Sequence, residues 1–532
     1  MKITKDKIVN AILAVIIVLM AVAIVKNLTR SRRGAAPVVS VDGRRQGSDW
    51  SKLTTVLDQI QQHYVDSIDQ DEITEKILPL ILSELDPHSL YLTPEDLQTS
   101  DEDLQADFEG IGIVFNVPND TAIVNSVVTG GPSEKVGILS GDRILKVDDR
   151  VIAGVEMPQD SMVRLMRGKK GSKVTITVGR DNHEVAFDII RDKIPQKSVD
   201  VAYMINDTTG YVKLSKFSRS TYVEFLQSEL LLMTKGMKRL IVDLRDNSGG
   251  YLDQALLLCN EFLEEGKLAF YMEGLHSERQ EIFADSKGFG KNLSLAILIN
   301  EFSASSSEIF TGAMQDNDRA TVYGVRSFGK GLVQEPIYFS DGSGVRLTIA
   351  RYYTPSGRCI QKPYSDKYEY DIIERYERGE MMCADSIKVN DSLKFVTPGG
   401  RVLYGGGGII PDVFVPIDTT ISSQFLTECN RRSLPVRFAN SLCDQNRPAL
   451  RKIEDMDQLQ AFFKTLDLKS SFVKYAQEND VKLNPGDWER SGEYILTTIK
   501  ALIGRSTPMS DNAFYPIYLT ADKTVLRAVE GN

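Results

Sequence analysis

The spacing of apolar residues first separates an N-terminal segment from the rest of the chain. Residues 8 to 25 form an apolar run in which Asn10 is the only clearly polar side chain. At about 1.5 Å per residue, a helix of this length just spans a bilayer core of roughly 30 Å. We therefore predict a membrane anchor or signal peptide over residues 1–26, followed by a linker over residues 27–49 that is rich in Arg, Gly, Ser and Pro.

Two further changes of periodicity follow the linker. Residues 50–96 have helical spacing. The first helix runs from about Trp50 to Tyr64 and carries its apolar residues on one face, and the second runs from Glu72 to Leu85. Residues 97–192 instead alternate in short segments separated by glycine turns, which is typical of strands. The predicted strands are Ile111 to Val117, Ala122 to Val127, Arg143 to Val147 and Lys173 to Val178, and the predicted helices are Pro132 to Val136 and Gln159 to Met166.

The region from 193 to 420 alternates between strands and helices. Leu240 to Leu244 and Leu295 to Ile299 read as buried strands, and Leu252 to Phe262 reads as a helix. This alternation predicts an α/β core. Residues 362–396 are charged and tyrosine-rich and resemble an insertion, whereas residues 421–532 are mainly helical in pattern. The predicted fold class is therefore multi-domain α/β.

Composition excludes several kinds of function. The chain of 532 residues is long enough for about three domains, and its net charge of −10 argues against a nucleic-acid partner. Its five cysteines form no CxxC pair, so neither a disulfide framework nor a zinc ribbon is predicted. The four histidines are far apart, and His88, in Asp86-Pro87-His88-Ser89, is better explained as a turn residue than as a ligand. We predict no metal and no other cofactor.

A serine cluster is the strongest candidate for chemistry. Ser303-Ala304-Ser305-Ser306-Ser307-Glu308 lies between the apolar run Leu295 to Ile299 and the amphipathic run Ile309 to Met314. A strand, a turn and a helix start in this order present one side chain outward and direct helical N–H groups at a substrate. Lys330 follows Ser305 by 25 residues, and a desolvated lysine can act as the base for a serine nucleophile.

Each part of this pattern also has a simpler explanation. The serines could cap the helix, with Glu308 completing a capping box, although three serines exceed what a cap needs. Lys330 also ends a GxxxxGK string that begins at Gly324, which is the pattern of a phosphate-binding loop. That motif requires Ser or Thr after the lysine and then a helix, whereas Gly331 follows here and Leu332 to Phe339 alternates like a strand. Nucleotide binding at 324–330 is therefore a remote alternative.

Two glycine motifs predict backbone N–H donors. Gly110-Ile111-Gly112-Ile113 opens a strand. Its glycines could turn N–H groups toward the carboxylate of a peptide that pairs with the strand edge, and its alternate apolar side chains would line a pocket beside that carboxylate. Asp243 to Gly250 ends a buried strand in a Gly249-Gly250 turn that could expose an N–H to an oxyanion. A plain strand start and a polar loop are the competing interpretations.

Longer strings connect these motifs to known families. Residues 130–138 and 141–147, taken with Gly110 to Ile113, closely resemble the PDZ fold. Across about residues 50 to 415 the chain resembles the C-terminal processing peptidases, also called tail-specific proteases. The matching strings are Leu85-Asp86-Pro87-His88-Ser89, the PDZ segment, the Asp243–Gly250 turn, the serine cluster, Lys330 with Gln334, residues 352–361 and residues 405–413.

This resemblance implies roles for particular residues. It implies a PDZ domain over 97–192 and an α/β peptidase core of the crotonase/ClpP-like type over 193–420. The nucleophile would be Ser305, the base Lys330 and its orienting partner Gln334. The oxyanion donors would be the backbone N–H of Ser306 and one from the Gly249-Gly250 turn, without a choice between the two glycines. Nothing is implied for the insertion or the helical tail.

The predicted function is that of a serine endopeptidase which holds substrate C-terminal tails in its PDZ domain and needs no cofactor. Burial would lower the pKa of the lysine from near 10.4. The Ser305 Oγ and Lys330 Nζ should lie within about 3 to 4 Å of each other, or somewhat farther apart in a resting form. The competing prediction is a catalytically inactive, membrane-anchored PDZ scaffold. The partners expected are peptides or proteins with free C-termini and a membrane; self-association is left open.

The N-terminal run also predicts a location. Because the apolar run continues past the small residues Ala21-Val22-Ala23, an uncleaved anchor is favoured over a signal peptide. The catalytic part would then be exported to the periplasmic side of a bacterial inner membrane. If the segment is cleaved, the protein would be secreted or periplasmic.

Overall fold

A computed structural model describes residues 50–531 of the chain, apart from residues 106, 118, 119, 129, 181, 182, 286 and 366. The predicted anchor and linker lie outside these residues. Within the described part of the chain, no helix has both the length and the apolar character needed to cross a membrane. The chain divides into two compact units between Thr74 and Glu75.

The first unit contains helix α1 (Ser51–His63), and helix α2 (Gln70–Ser83) begins in it. Both predicted helices are therefore present. The apolar face of α1 that the sequence indicated is solvent-exposed, since no residue of this helix is buried.

The second unit opens with strand β1 (Leu90–Leu92), helix α3 (Pro94–Gln105) and strand β2 (Asp107–Gly110). A small antiparallel sheet follows, in the order β3-β4-β5-β7-β8, with β6 paired to β5. Val174, Ile176 and Val178 alternate along β7 and face its core. The elements are β3 (Ile113–Asn116), β4 (Ala122–Val127), α4 (Pro132–Val136), β5 (Arg143–Val147), β6 (Arg150–Val151), α5 (Gln159–Met166), β7 (Lys173–Arg180), β8 (His183–Ile190) and β9 (Asp192–Pro195), which pairs with β2.

A six-stranded sheet forms the centre of the second unit, in the order β10-β11-β12-β15-β16-β21. All neighbours in it are parallel except β10 and β11. A second sheet has the order β1-β18-β13-β14, with β17 also paired to β18. The elements are β10 (Val199–Met204), β11 (Thr209–Leu214), α6 (Thr221–Thr234), β12 (Arg239–Asp243), α7 (Leu252–Phe262), β13 (Leu268–Gly274), β14 (Ser277–Phe283), β15 (Ser294–Ile299), α8 (Ser306–Asp316), β16 (Ala320–Gly324), β17 (Leu332–Tyr338), β18 (Gly344–Tyr353), α9 (Asp371–Glu377), β19 (Lys394–Val396), β20 (Val402–Tyr404) and β21 (Val413–Phe414).

Both faces of the six-stranded sheet are covered. Leu240, Val242 and Ile297 pack on one face in a core shared with helices α6, α7 and α8. The alternate residues Ile241 and Leu298 point to the opposite face and pack in a second core. Because each strand is buried on both sides, its sequence is continuously apolar, as the two predicted buried strands are.

The C-terminal helices supply the cover for the second face. Most of this region packs around its own core, but Leu519, Val525 and Ala528 belong to the second core of the sheet. The helices are α10 (Gln424–Arg431), α11 (Leu434–Leu450), α12 (Met456–Phe463), α13 (Leu468–Glu478), α14 (Asp487–Arg505), α15 (Asp511–Tyr518) and α16 (Lys523–Glu530). The helical character predicted for 421–532 is therefore present, and its last residues complete the α/β core.

Candidate active site

Three loops meet at one edge of the six-stranded sheet. Strands β12, β15 and β16 are parallel neighbours, so their carboxyl ends lie side by side. The loop after β12 contains Gly249 and Gly250, the loop after β15 ends at Ser305, and the loop after β16 carries Lys330. The fold thus brings together residues that are far apart in the sequence.

The serines of the cluster differ in what they bind. Ser303 Oγ donates to the Leu244 carbonyl at 2.8 Å, Ser306 Oγ to the Gly250 carbonyl at 2.8 Å, and Ser307 Oγ to the Asn247 carbonyl at 2.9 Å. These three side chains join the turn after β15 to the turn after β12.

Ser305 is different. Its hydroxyl donates to no acceptor among the described residues, and its backbone has a positive φ of 56°. A positive φ is uncommon for a residue with a side chain, and such conformations occur most often at functional sites. Ser305 is therefore the serine of this cluster whose O–H is available to another group.

Lys330 is held by an amide side chain. Its Nζ donates to Gln334 Oε1 at 3.0 Å, and Gln334 Nε2 in turn donates to the backbone oxygen of His88. Burial and, after it, the charge of Arg346 lower the pKa of Lys330. Within the described part of the chain, no hydrogen bond joins the Lys330 amine to the Ser305 hydroxyl, so the direct approach that the sequence predicted is not present as a bond.

A buried carboxylate fixes the backbone on both sides of the site. Glu308 accepts the N–H of Ser305 at 2.9 Å and that of Lys330 at 2.8 Å through one oxygen. Its other oxygen accepts the Gly329 N–H at 2.7 Å and the Ser327 hydroxyl at 2.5 Å. The sequence predicted Glu308 only as part of a helix cap, and the link to residues 327–330 appears only in the fold.

Tyr352 is a second link that the sequence did not indicate. This side chain is fully buried, and its hydroxyl lies 2.6 Å from the Lys330 carbonyl and 3.1 Å from the Ser305 carbonyl. It belongs to the string 352–361 that carried the family resemblance, but neither periodicity nor spacing could show what it contacts.

The backbone distinguishes the two glycines of the turn. The Gly249 N–H already donates to Asn247 Oδ1 at 2.9 Å. The N–H groups of Gly250 and Ser306 donate to no group among the residues described. Gly250 has a φ of 143° and lies so close to Phe217 that an added Cβ would be 2.1 Å from its carbonyl oxygen. A glycine is therefore required at position 250. Its N–H, which has no described acceptor, is available to bind a substrate oxygen.

A cleft of about 1110 Å³ joins these groups. The six residues assigned to the nucleophile, the base, its orienting partner and the oxyanion donors all line it; they are Ser305, Lys330, Gln334, Ser306, Gly249 and Gly250. Apolar side chains including Leu97 and Phe328 line the remainder. The roles of the six residues stay predictions, but the fold places them around one space.

The predicted carboxylate loop does not line this cleft. Gly110 ends β2, and Ile113 begins β3, so the loop lies between two strands of the PDZ segment. The N–H groups of Ile111 and Gly112 donate to nothing in the described part, and Gly112 has a φ of 76°. The Ile111 side chain is buried in the core, so it is not available to line a pocket.

Two other sequence interpretations can be compared with the structure. Asp86 Oδ1 accepts the N–H groups of His88 at 2.8 Å and Ser89 at 2.9 Å, which is the turn that the sequence favoured over a metal ligand. The loop after Gly324 leads into strand β17, whereas a phosphate-binding loop leads into a helix. The nucleotide-binding alternative therefore lacks its required geometry.

Comparison with family profiles identifies the two central domains. Residues 208–372 match peptidase family S41, and residues 110–190 match the PDZ domain. Residues 425–507 match a family of unknown function, DUF8443. The chain is thus a multi-domain α/β protein that combines a peptidase domain with a PDZ domain. Residues 208–372 are thus a peptidase family S41 domain, and the resemblance to C-terminal processing peptidases is confirmed.

Individual relatives agree with this result. The chain is 36% identical over 312 residues to a probable CtpA-like serine protease of Staphylococcus aureus (strain N315), covering 58% of this chain and 62% of that protein. A protein of the same description from Staphylococcus epidermidis is 34% identical over 319 residues, covering 60% and 64%. The match spans less than two thirds of these relatives' length.

Two solved structures are also similar. The photosystem II D1 C-terminal processing protease is 24% identical with a TM-score of 0.39, covering 72% of this chain and 91% of that chain. The PDZ domain of a carboxy-terminal protease from Vibrio cholerae, in complex with a peptide, is 38% identical with a TM-score of 0.16, covering 16% of this chain and 97% of that chain.

Proposed function

We propose that this chain is a serine endopeptidase that uses Ser305 and Lys330 to hydrolyse peptide bonds near the C-terminal tails of its substrates. The observation that carries the proposal is the position of Ser305: its O–H is free to donate, and it lines the same cleft as a lysine whose pKa is lowered. Neighbouring serines are instead engaged with the backbone.

The chemistry follows from the protonation state of the lysine. Burial disfavours the ammonium form and lowers the pKa of Lys330, so more of it is neutral than of a free lysine; the neutral amine can accept the Ser305 proton as the hydroxyl attacks the scissile carbonyl. One N–H of the Lys330 amine continues to donate to Gln334 Oε1, which orients the lone pair toward Ser305. The amine then protonates the leaving nitrogen and activates the water that hydrolyses the acyl-enzyme.

The oxyanion of the tetrahedral intermediate would be held by backbone groups. Ser306 and Gly250 supply the two donors in this proposal, because their N–H groups have no described partner and both residues line the cleft. Gly249 is not assigned this role, since its N–H is already bound to Asn247. Donors that are fixed before the reaction need no reorganisation as charge develops.

Substitution tests the dyad directly. Ser305→Ala and Lys330→Ala should each reduce peptide hydrolysis to background. The double variant should be no less active than either single variant, because the two residues act as one unit. Gln334→Ala should retain weak activity, since it orients the base. Ser470→Ala, a change at an exposed serine on α13, is the control and should match the unaltered protein. Hydrolysis that survives Ser305→Ala would refute the assignment, and no hydrolysis by the unaltered protein would favour the inactive-scaffold alternative.

Tail recognition is a separate part of the proposal. The free N–H groups of Ile111 and Gly112 would bind the carboxylate of the substrate tail, and the peptide would extend β3 as an added strand. A peptide with a free carboxylate should therefore be cleaved several-fold faster than its C-terminal amide, since one charge-assisted hydrogen bond contributes about 1.5–3 kcal/mol. Equal rates at low substrate concentration would remove support for tail recognition while leaving the dyad unaffected.

We also propose that residues 8–25 anchor the protein in a bacterial inner membrane, with the catalytic part on the periplasmic side. The support is the length of the apolar run and its continuation past Ala23. Membrane fractionation combined with protease accessibility in spheroplasts tests the location. A mature N-terminus that begins after residue 23, identified by mass spectrometry, would instead establish a cleaved signal peptide.

A further inference from the structure

The insertion contains a buried tyrosine beside the proposed dyad. Tyr368 is 5% exposed, and its hydroxyl lies 2.7 Å from His88 Nε2. The same hydroxyl accepts a hydrogen bond from Gln361 Nε2 at 3.1 Å. Tyr368 therefore connects the turn at 86–89 with the segment that begins the insertion.

His88 and Gln361 each connect Tyr368 to the surroundings of Lys330. On one side, the His88 backbone oxygen accepts from Gln334 Nε2, and Gln334 Oε1 accepts from Lys330. On the other side, Gln361 Oε1 accepts the N–H of Gly331, the residue after Lys330, at 2.8 Å. The tyrosine hydroxyl is thus linked through His88 to Gln334, and through Gln361 to the loop that carries Lys330 (residues 325–331, the lysine loop).

Chemistry fixes the direction of the bond from Gln361, and it allows the tyrosine to donate to His88. The hydroxyl accepts from the Gln361 amide, so its own hydrogen is free to donate to His88 Nε2. In that arrangement the imidazole is neutral and carries its proton on Nδ1. Burial, and after it the charge of Lys330, lower the pKa of His88 to about 4, so the ring is neutral at pH 7.

The backbone of the tyrosine is held as well. Lys362 Nζ donates to the Tyr368 carbonyl at 3.1 Å, and it lies 4.1 Å from the ring centres of both Tyr368 and Phe328. The Lys362 N–H donates to the Gly329 carbonyl at 3.0 Å. The start of the insertion is therefore attached to the lysine loop by one further hydrogen bond, to Gly329, and by the contact of Lys362 with the Phe328 ring.

We propose that Tyr368 is a positioning residue for the peptidase reaction, which holds the His88 turn against the lysine loop so that Gln334 directs Lys330 toward Ser305. This inference rests on the proposed function and extends it to the insertion. In this proposal the insertion contributes to the reaction by positioning other residues, and it does not touch the substrate.

Tyr368→Phe removes the hydroxyl and keeps the ring, which makes it the direct test. We expect kcat to fall by about tenfold and KM to change by less than twofold, since one hydrogen bond is lost and substrate contacts remain. Tyr370→Phe is the control, because Tyr370 is 60% exposed on the same insertion, and it should behave as the unaltered protein. An unchanged kcat for Tyr368→Phe would overturn the proposal.

A double variant separates positioning from a general structural role. If Tyr368 acts through Gln334, Tyr368→Phe should have almost no further effect on kcat in a Gln334→Ala background. A structural role would instead lower activity by the same factor in both backgrounds, together with the melting temperature. Full additivity would therefore refute the inference.

A spectroscopic measurement keeps this inference distinguishable from the proposed function. In ¹⁵N-histidine-labelled protein at pH 7, His88 should show a protonated Nδ1 and a hydrogen-bonded Nε2, and the Nε2 signal should shift in Tyr368→Phe. A His88→Asn variant assigns the signal among the four histidines. If hydrolysis never depends on Ser305, the proposed function fails, whereas an Nε2 signal that is unchanged in Tyr368→Phe would overturn the Tyr368 link on its own.

Discussion

Replacing Glu308 by Gln tests whether one carboxylate holds both sides of the site. The change keeps the size of the side chain and removes one acceptor oxygen. In the structure, each carboxylate oxygen accepts two hydrogen bonds, one set from Ser305 and Lys330 and the other from Ser327 and Gly329. Whichever way the amide is oriented, its NH₂ group will face two donors.

The expected magnitude follows from this count. A buried donor left without an acceptor costs about 1–3 kcal/mol, so two such donors cost about 2–6 kcal/mol. Glu308 is 1% exposed, so solvent cannot replace the lost acceptor. For a domain of this size, about 2–4 °C of melting temperature corresponds to each kcal/mol, which predicts a decrease of roughly 5–20 °C.

Calorimetry of the full chain is the appropriate measurement, because a multi-domain protein does not unfold in one two-state step. The transition assigned to the peptidase domain should move, and kcat below that transition should fall by at least about tenfold, since misplacement of reacting groups by 1 Å can cost 10²-fold. Glu278→Gln, the same change at an exposed position on β14, is the control. A Glu308→Gln variant that melts within 1 °C of the unaltered protein and keeps its kcat would show that the carboxylate does not hold the site.

Two further predictions concern pH. Arg346→Gln should raise the pKa of Lys330, because the charge of Arg346 helps to lower that pKa. The acidic limb of the pH profile of kcat should therefore move to higher pH, and Arg346→Lys should return the limb to its original position. A limb that does not move in Arg346→Gln would exclude an effect of Arg346 on Lys330. Glu229 is fully buried with neither oxygen bonded to a described donor, and burial followed by the charge of Glu261 raises its pKa. Because the folded state then holds this proton more tightly, stability should be lost as pH rises above the ordinary value near 4.5, and Glu229→Gln should flatten that decline in thermal-melting measurements; an equally steep decline would contradict it.

Local pattern was enough to predict much of the fold. The helices Pro132–Val136, Gln159–Met166 and Leu252–Phe262 have the bounds that their spacing predicted. Strand β15 was recognisable because a strand buried on both faces is apolar throughout. The exposed apolar face of α1 was not recognisable as exposed, because amphipathic spacing shows that a face exists and not what covers it.

Residues of the candidate site could be predicted from the sequence only where they belong to a recognisable motif. Ser305, Lys330 and Gln334 followed from the cluster and the family resemblance, and the choice of Gly250 over Gly249 needed the hydrogen bond from Gly249 to Asn247. Tyr352 and Tyr368 could not be found, because each acts through residues that are distant in sequence: Tyr368 and His88 are 280 positions apart. Tertiary hydrogen bonds of this kind leave no periodic signal.

The C-terminal cover of the six-stranded sheet has a consequence for biosynthesis. Leu519, Val525 and Ala528 bury the second face of a sheet whose fifth strand, β16, ends at Gly324. At 5–20 residues per second, the roughly 200 residues between them take about 10–40 s to synthesise. During that interval one apolar face of the sheet is uncovered, and the strands whose ends carry the proposed catalytic loops lack half of their packing. The nascent chain must therefore be protected from aggregation, and proteolytic capacity is expected only after the last helices have been made.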